Sequence, residues 1–252
     1  MNRLAADLGN TRLKWGRASS SGVETLAAAP IDEERAWAEI WSASGWDMAG
    51  AEWWISTVNP AAASRFERFL VEHSATARWI RSASDVPVAN RLDRPEATGA
   101  DRALAVLAAI QRQGRGPGLV ISCGTAITVE RIDESGVWDG GAIAPGLPTL
   151  AFALHHLAAQ LPRIDQFEPT AAWGHSTIPA MTAGLFWGAV GLVRELIARQ
   201  SADLASPWRV WTGGDAARLA PWIDGEAARI APDLVLEGLI ALATAPTSEA
   251  HP

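Results

Sequence analysis

This sequence predicts an α/β fold of two related halves, and three observations carry that prediction. Short apolar runs alternate with stretches of helical period along the 252 residues. A strand, turn and strand at Leu4 to Lys14, with Asp7-Leu8-Gly9-Asn10-Thr11 at its centre, returns at Leu119 to Val129, with Ser122-Cys123-Gly124-Thr125-Ala126 at its centre. Asp7 and Ser122 stand 115 residues apart, about half the chain. Gly and Asn tolerate positive φ at little cost, and a glycine lets backbone N–H groups approach a bound anion. Asp7, at the strand end, is placed to hold Mg²⁺ directly or through water, while Thr11 and Lys14 add a hydroxyl and a point charge. Asp-x-Gly by itself reads as an ordinary hairpin. Its recurrence in a matching setting points to two related domains whose phosphate loops face each other across a cleft.

In chain order, Val23 to Ala29 reads as a strand, and Asp32 to Trp46 as a helix with Asp32 as its N-cap. Trp53 to Val58 is a buried strand stopped by Asn59-Pro60, Ala61 to Glu72 a helix, and Trp79-Ile80 a short strand. Ala100 to Gln113 is strongly helical. Gln113 to Gly118 is a flexible join, which sets the domains at 1–116 and 117–252. The second half opens with a meander of strands at Leu119 to Ser122, Ala126 to Arg131 and Val137 to Ile143. Helices from Pro148 to Gln160 and from Ser176 to about Arg199 follow. A strand at Arg209 to Trp211 ends in Thr212-Gly213-Gly214-Asp215, and Leu234 to Thr244 is a closing helix.

Composition narrows the function. A hydrophobic share of 48% with 19% charged residues describes a globular chain, and a net charge of −7 argues against nucleic-acid partners. One cysteine, Cys123, excludes an intrachain disulfide framework and fits a reducing compartment, and its place inside the second turn reads as a buried, inert thiol. Asp7 falls too early for a signal peptide's apolar region, and the longest weakly polar run, Ala180 to Val193, is shorter than the ~20 residues of a spanning helix. These features predict a cytoplasmic protein without a membrane partner. The 13 tryptophans, scattered without a repeat, read as packing residues. His155 and His156 read as structural, and no His/Cys cluster suggests zinc.

Four elements, Asp7 to Lys14, Gly99-Ala100-Asp101-Arg102, Gly124-Thr125-Ala126 and Gly140 to Gly146, resemble in order and spacing the type III pantothenate kinases of the acetate kinase, sugar kinase, Hsc70 and actin superfamily. Ser56 to Pro60, Gly174 to Thr177, Thr212-Gly213-Gly214 and Pro232 to Leu239 extend the resemblance. It implies two duplicated ribonuclease-H-like (actin-like ATPase) domains with an inter-domain cleft. It also implies phosphoryl transfer from ATP, with Mg²⁺, to the primary hydroxyl of pantothenate, the first step of coenzyme A synthesis, by a homodimer. Asp7, Leu8, Gly9, Asn10, Thr11, Arg12, Leu13 and Lys14 would form the first phosphate loop, with Asp7 close to Mg²⁺. Thr125 would contact ATP from the second loop, and Gly213-Gly214 would form the adenosine-side loop. Gly99, Ala100, Asp101, Arg102 and Thr177 would line the pantothenate pocket, with Asp101 as base and Arg102 pairing with the substrate carboxylate. His156 is a faint candidate for a further pantothenate contact.

Two positions depart from the family pattern. Ser122 stands where an Asp usually binds a monovalent cation, K⁺ or NH₄⁺, so the ion is expected to be bound weakly, to recruit Glu130 or Asp139, or to be dispensed with. Leu92 stands where a pocket aromatic is usual. Both departures motivate rival readings: a catalytically weak binding or regulatory relative, or a kinase of another small hydroxylated substrate.

Overall fold

The computed structural model describes residues 3–19, 22–46, 50–169 and 171–245, which form two compact units. In the first, Arg3–Leu8 (β1), Arg12–Ser19 (β2) and Gly22–Pro30 (β3) make an antiparallel meander. Glu34–Ala43 (α1) leads to Glu52–Thr57 (β4), and Pro60–Glu72 (α2) leads to Thr76–Ile80 (β5). Both later strands run parallel to β1, so the order is β3-β2-β1-β4-β5. Strand alternation sends Leu4, Ala6 and Leu8 to one face, where they join Leu13, Trp15, Trp53, Ile55, Trp37 and Phe66 in a buried core. Trp15 meets Trp53 edge to face at 5.7 Å, so the clustered tryptophans fill space here.

Asn59 caps α2 by accepting the Ala62 N–H at 3.1 Å, with Pro60 in the first turn where a missing N–H costs nothing. The expected cap on α1 does not form. Glu33, not Asp32, occupies that position, without a side-chain bond, and the helix stops at Ala43. Ala100–Gln113 (α3) has the expected bounds.

The second unit repeats the plan. Gly118–Cys123 (β6), Ala126–Ile132 (β7) and Trp138–Pro145 (β8) form a meander. Leu147–Leu157 (α4) and Thr177–Gln200 (α5) follow it, and Trp208–Thr212 (β9) pairs parallel with β6. The order β8-β7-β6-β9 reproduces the first four strands of the other sheet. Pairing places the two strand ends alike, with the first turn one residue longer: Asp7 lies opposite Lys14 and Ser56, and Ser122 opposite Thr128 and Thr212. Each unit is therefore ribonuclease-H-like.

At 24 residues α5 is longer than the apolar run seen in the sequence, and by length and hydropathy it could cross a membrane. Phe186, Ala189, Val190 and Val193 are instead packed in the unit's core against Leu119, Ile121 and Val129, as in a core helix of a globular unit.

Ala216–Leu219 (α6) and Pro221–Asp224 (α7) are single turns that the sequence reading missed. The closing helix Leu234–Thr244 (α8) has the expected bounds but not the expected home. It packs on β1, β2, β3 and β4, so the first unit runs to Val88, resumes over Asp93–Arg112 and takes up the chain again from Asp233. Gly238 admits the Leu104 backbone where any Cβ would collide with it, and Arg112 forms a two-bond pair with Glu237 at 2.5 Å, fastening α8 to α3.

Candidate active site

The site of the first unit lies on the sheet face opposite the tryptophan core. Strand alternation puts Asp7 on that face, near the end of β1, with Lys14 and Ser56 as its cross-strand neighbours. Burial is the main reason its carboxyl is pushed up to about 7, and the nearby Asp101 carboxylate raises it further. Lys14 opposes the shift, although its ammonium is also drawn to Asp233 at 3.5 Å. The buried Ser56 hydroxyl has no hydrogen-bond partner of good geometry and favours the ionised form only slightly. Two carboxylates and an oxygen without a partner fit a hard divalent cation, which would relieve both the desolvation and the repulsion.

The turn after Asp7 closes with the Gly9 N–H donating to the Arg12 carbonyl at 3.0 Å. Neither Gly9 nor Asn10 has positive φ, contrary to the expectation for this turn, and the same holds for Gly124. Asn10, Thr11 and Arg12 are exposed, whereas Leu8 and Leu13 point into the core, which leaves those two only backbone groups to offer a phosphate.

Gly99 to Arg102 begin α3. Gly99 is fixed by a bridge to Ser82, and a Cβ there would come within 2.5 Å of Asp101 Oδ1 and 3.2 Å of Val58 Cγ1. Glycine is thus what lets the Asp101 carboxylate fold back over the helix start, where its Oδ1 accepts the Arg102 N–H at 2.9 Å. Burial raises the Asp101 pKa, and the Arg102 N–H and guanidinium oppose the shift. A carboxyl with raised proton affinity at this position has the property required of a base.

In the second unit the turn Gly124-Thr125 is held from two sides. Gly213, at φ 90°, lies so close to the Cys123 carbonyl that no Cβ would fit, and that carbonyl accepts the Asp215 N–H at 2.9 Å. On the other side the Thr125 carbonyl accepts the Gly146 N–H at 3.0 Å and the Thr149 hydroxyl at 2.6 Å. Cys123 is buried and its thiol is pushed up to about 12, chiefly by desolvation, which suits an inert role.

Ser122, in the position equivalent to Asp7, brings no charge, and the carboxylates expected to replace it are engaged. Glu130 is buried and accepts Trp138 Nε1–H at 3.0 Å, and Asp139 is paired with Arg91 and Arg131, each at 3.3 Å. These residues do not fit a tightly held monovalent cation. Leu92, whose N–H is held by Asn90 Oδ1 at 3.2 Å, lies beside Gly140, and Thr177 is exposed at the start of α5. His155 bonds the Leu161 carbonyl at 2.8 Å, and His156 stacks on Phe152. Thr149 carries no signal in the sequence, because a hydroxyl in the first turn of a helix is common and its acceptor lies 24 residues away.

Duplicated ribonuclease-H-like units, with Asp7 near the end of the first strand and Asp101 at the start of α3 close enough to raise its proton affinity, define a protein of the actin-like ATPase fold. Solved structures of that fold resemble the chain. The activator of the 2-hydroxyisocaproyl-CoA dehydratase from Clostridium difficile with bound ADPNP superposes with a TM-score of 0.53 at 12% identity, covering 96% of this chain and 95% of that one. MreB 5 of Spiroplasma citri bound to AMPPNP gives 0.53 at 10% identity, with the same coverage. The chain belongs to the type III pantothenate kinase family, which it matches over residues 3–199. The type III pantothenate kinase of Acidiphilium cryptum is 39% identical across 96% of this chain and 94% of its own length. That of Gluconobacter oxydans is 40% identical across 77% and 72%.

Proposed function

We infer that this chain transfers the terminal phosphoryl group of ATP to the primary hydroxyl of pantothenate, giving 4'-phosphopantothenate for coenzyme A synthesis. The observation that carries the reading is the half-buried Asp101, of raised proton affinity, beside Asp7 in a chain that matches this family over residues 3–199. Asp101 accepts the hydroxyl proton as the bond to phosphorus forms, and Arg102 pairs with the substrate carboxylate through its planar fork. Lys14 and the backbone from Asp7 to Lys14 hold the phosphates, with Thr125 contributing from the second hairpin. Asp7 would hold a divalent cation, which when bound neutralises phosphate charge. Ser122 leaves the monovalent ion weakly bound. Since ATP is the donor, we place the protein in the cytoplasm.

We also infer a homodimer through the face of α4 and α5. Phe152, Leu157 and Ile178 are 65%, 82% and 55% exposed there, beside an apolar groove of about 620 Å³ lined by Leu154, Met181 and Gly184. Patches of this kind mark protein contacts, and a second copy supplies the same apolar side chains in return.

A coupled assay of ATP turnover with and without pantothenate tests the activity. Turnover that needs pantothenate supports it, and none with any alcohol favours a binding role. Asp101→Asn, which keeps the shape but cannot take the proton, should lower kcat by at least the roughly 100-fold typical of a lost general base while circular dichroism stays unchanged. Wild-type turnover in that variant would make Asp101 structural.

A further inference from the structure

We propose that Thr149 is the positioning residue of the second phosphate loop, acting on nucleotide affinity through the Thr125 peptide. This rests on reading Thr125 as a nucleotide contact. Thr149 lies in the first turn of α4, whose N-cap, Gly146, makes no side-chain cap bond. Helix starts leave N–H groups unpaired, and a threonine hydroxyl there commonly turns back to its own backbone. Here it donates outward at 2.6 Å, to a carbonyl 24 residues away in the hairpin turn. The same carbonyl accepts the Gly146 N–H at 3.0 Å, so both of its lone pairs are occupied.

Gly146 makes the approach possible. A Cβ on it would overlap the Gly124 carbonyl oxygen, so only glycine lets α4 begin this close to the turn. Because a peptide is planar, fixing the Thr125 carbonyl fixes the plane it shares with Ala126 and limits ψ of Thr125. The turn itself is short, with one further backbone bond from the Gly124 N–H to the Ala126 carbonyl at 3.0 Å. Removing the Thr149 hydroxyl would take away one of the donors to the Thr125 carbonyl and loosen that peptide. The loop would then have to be ordered by the nucleotide at the moment of binding, and the cost would appear as weaker affinity rather than as lost structure.

Thr149→Val keeps the β-branched shape and removes the donor, and Thr149→Ser keeps the donor. Calorimetric titration with the magnesium complex of AMPPNP should show about 5-fold weaker binding for Thr149→Val, the order expected for one hydrogen bond, and near wild-type binding for Thr149→Ser. The KM for ATP should rise by a similar factor with the KM for pantothenate unchanged. Unaltered AMPPNP affinity in Thr149→Val overturns the proposal. A loss shared equally by pantothenate binding, or one that Thr149→Ser does not restore, overturns it as well, because a general packing defect would do the same. If the wild type binds AMPPNP but does not phosphorylate pantothenate, the functional reading fails while the nucleotide titrations still decide the role of Thr149.

Discussion

Asp7 is where burial and charge conflict most directly. Its carboxyl has a pKa of about 7 in the folded chain against an ordinary value of 3.8. The folded state therefore binds the proton more tightly than the unfolded one, and the stability this confers is lost as pH rises from about 4 through 7. Without metal, Asp7→Asn should melt above the wild type, and the gap should widen between pH 5 and pH 8. Millimolar Mg²⁺ added at pH 8 should raise the wild type and narrow the gap. Differential scanning fluorimetry across pH reads both effects, and a gap independent of pH would show that desolvation and the Asp101 charge do not raise the Asp7 carboxyl.

Ser122 is the neutral counterpart of Asp7. A hydroxyl offers an oxygen but no charge to offset the desolvation of K⁺. Turnover of the wild type should be almost indifferent to K⁺ at constant ionic strength, and Ser122→Asp should acquire K⁺ activation. Tight activation of the wild type, or identical curves, would mean that other ligands hold the ion.

Among the elements, the glycine turn after β9 constrains the second hairpin from the Cys123 side. Gly213→Ala adds a side chain at positive φ and drives it into the Cys123 carbonyl, so urea unfolding should register a loss of at least about 2 kcal/mol. At Gly214 the space is open, and the same substitution should be nearly neutral for stability. Equal losses at both positions would show that crowding at Cys123 is not the cause.

Elements with a strong period were legible in the sequence. The bounds of α3 and α8 agree with the reading, and the three-strand meander of each half was visible from its turns. Single turns such as α6 and α7 are too short to show a period. Glu33 caps α1 without a side-chain bond, so the chemistry that favoured Asp32 had no purchase. The candidate site divided in the same way. Asp7, Asp101 and Thr125 stood in glycine-marked motifs, whereas the Thr149 bond, the Lys14 pair with Asp233 and the burial of Glu130 against Trp138 arise from contacts that local sequence does not encode.

For the whole molecule, the inferred homodimer gives a prediction that leaves the catalytic groups alone. Leu157→Glu places a charge on the exposed apolar face of α4, where burial against a second copy would desolvate it. Sedimentation velocity at micromolar protein should show a dimer for the wild type and a monomer for the variant. A monomeric wild type, or a variant that remains dimeric, would rule out this face.

The placement of α8 sets the order in which a ribosome can deliver a finished structure. Synthesis proceeds from the N-terminus, and domains generally fold as they emerge. The first sheet leaves the ribosome before the second unit, but the helix that lies on β1, β2, β3 and β4 is made after it. The second unit, continuous from Gln113 to Pro232 apart from Ala89–Leu92, has nearly all its parts before α8 emerges. The unit whose sheet is translated before the other is therefore completed after it. Until then the Asp7 face of its sheet, against which Leu236 packs at Gly16, lacks its helical cover and is open to chaperones.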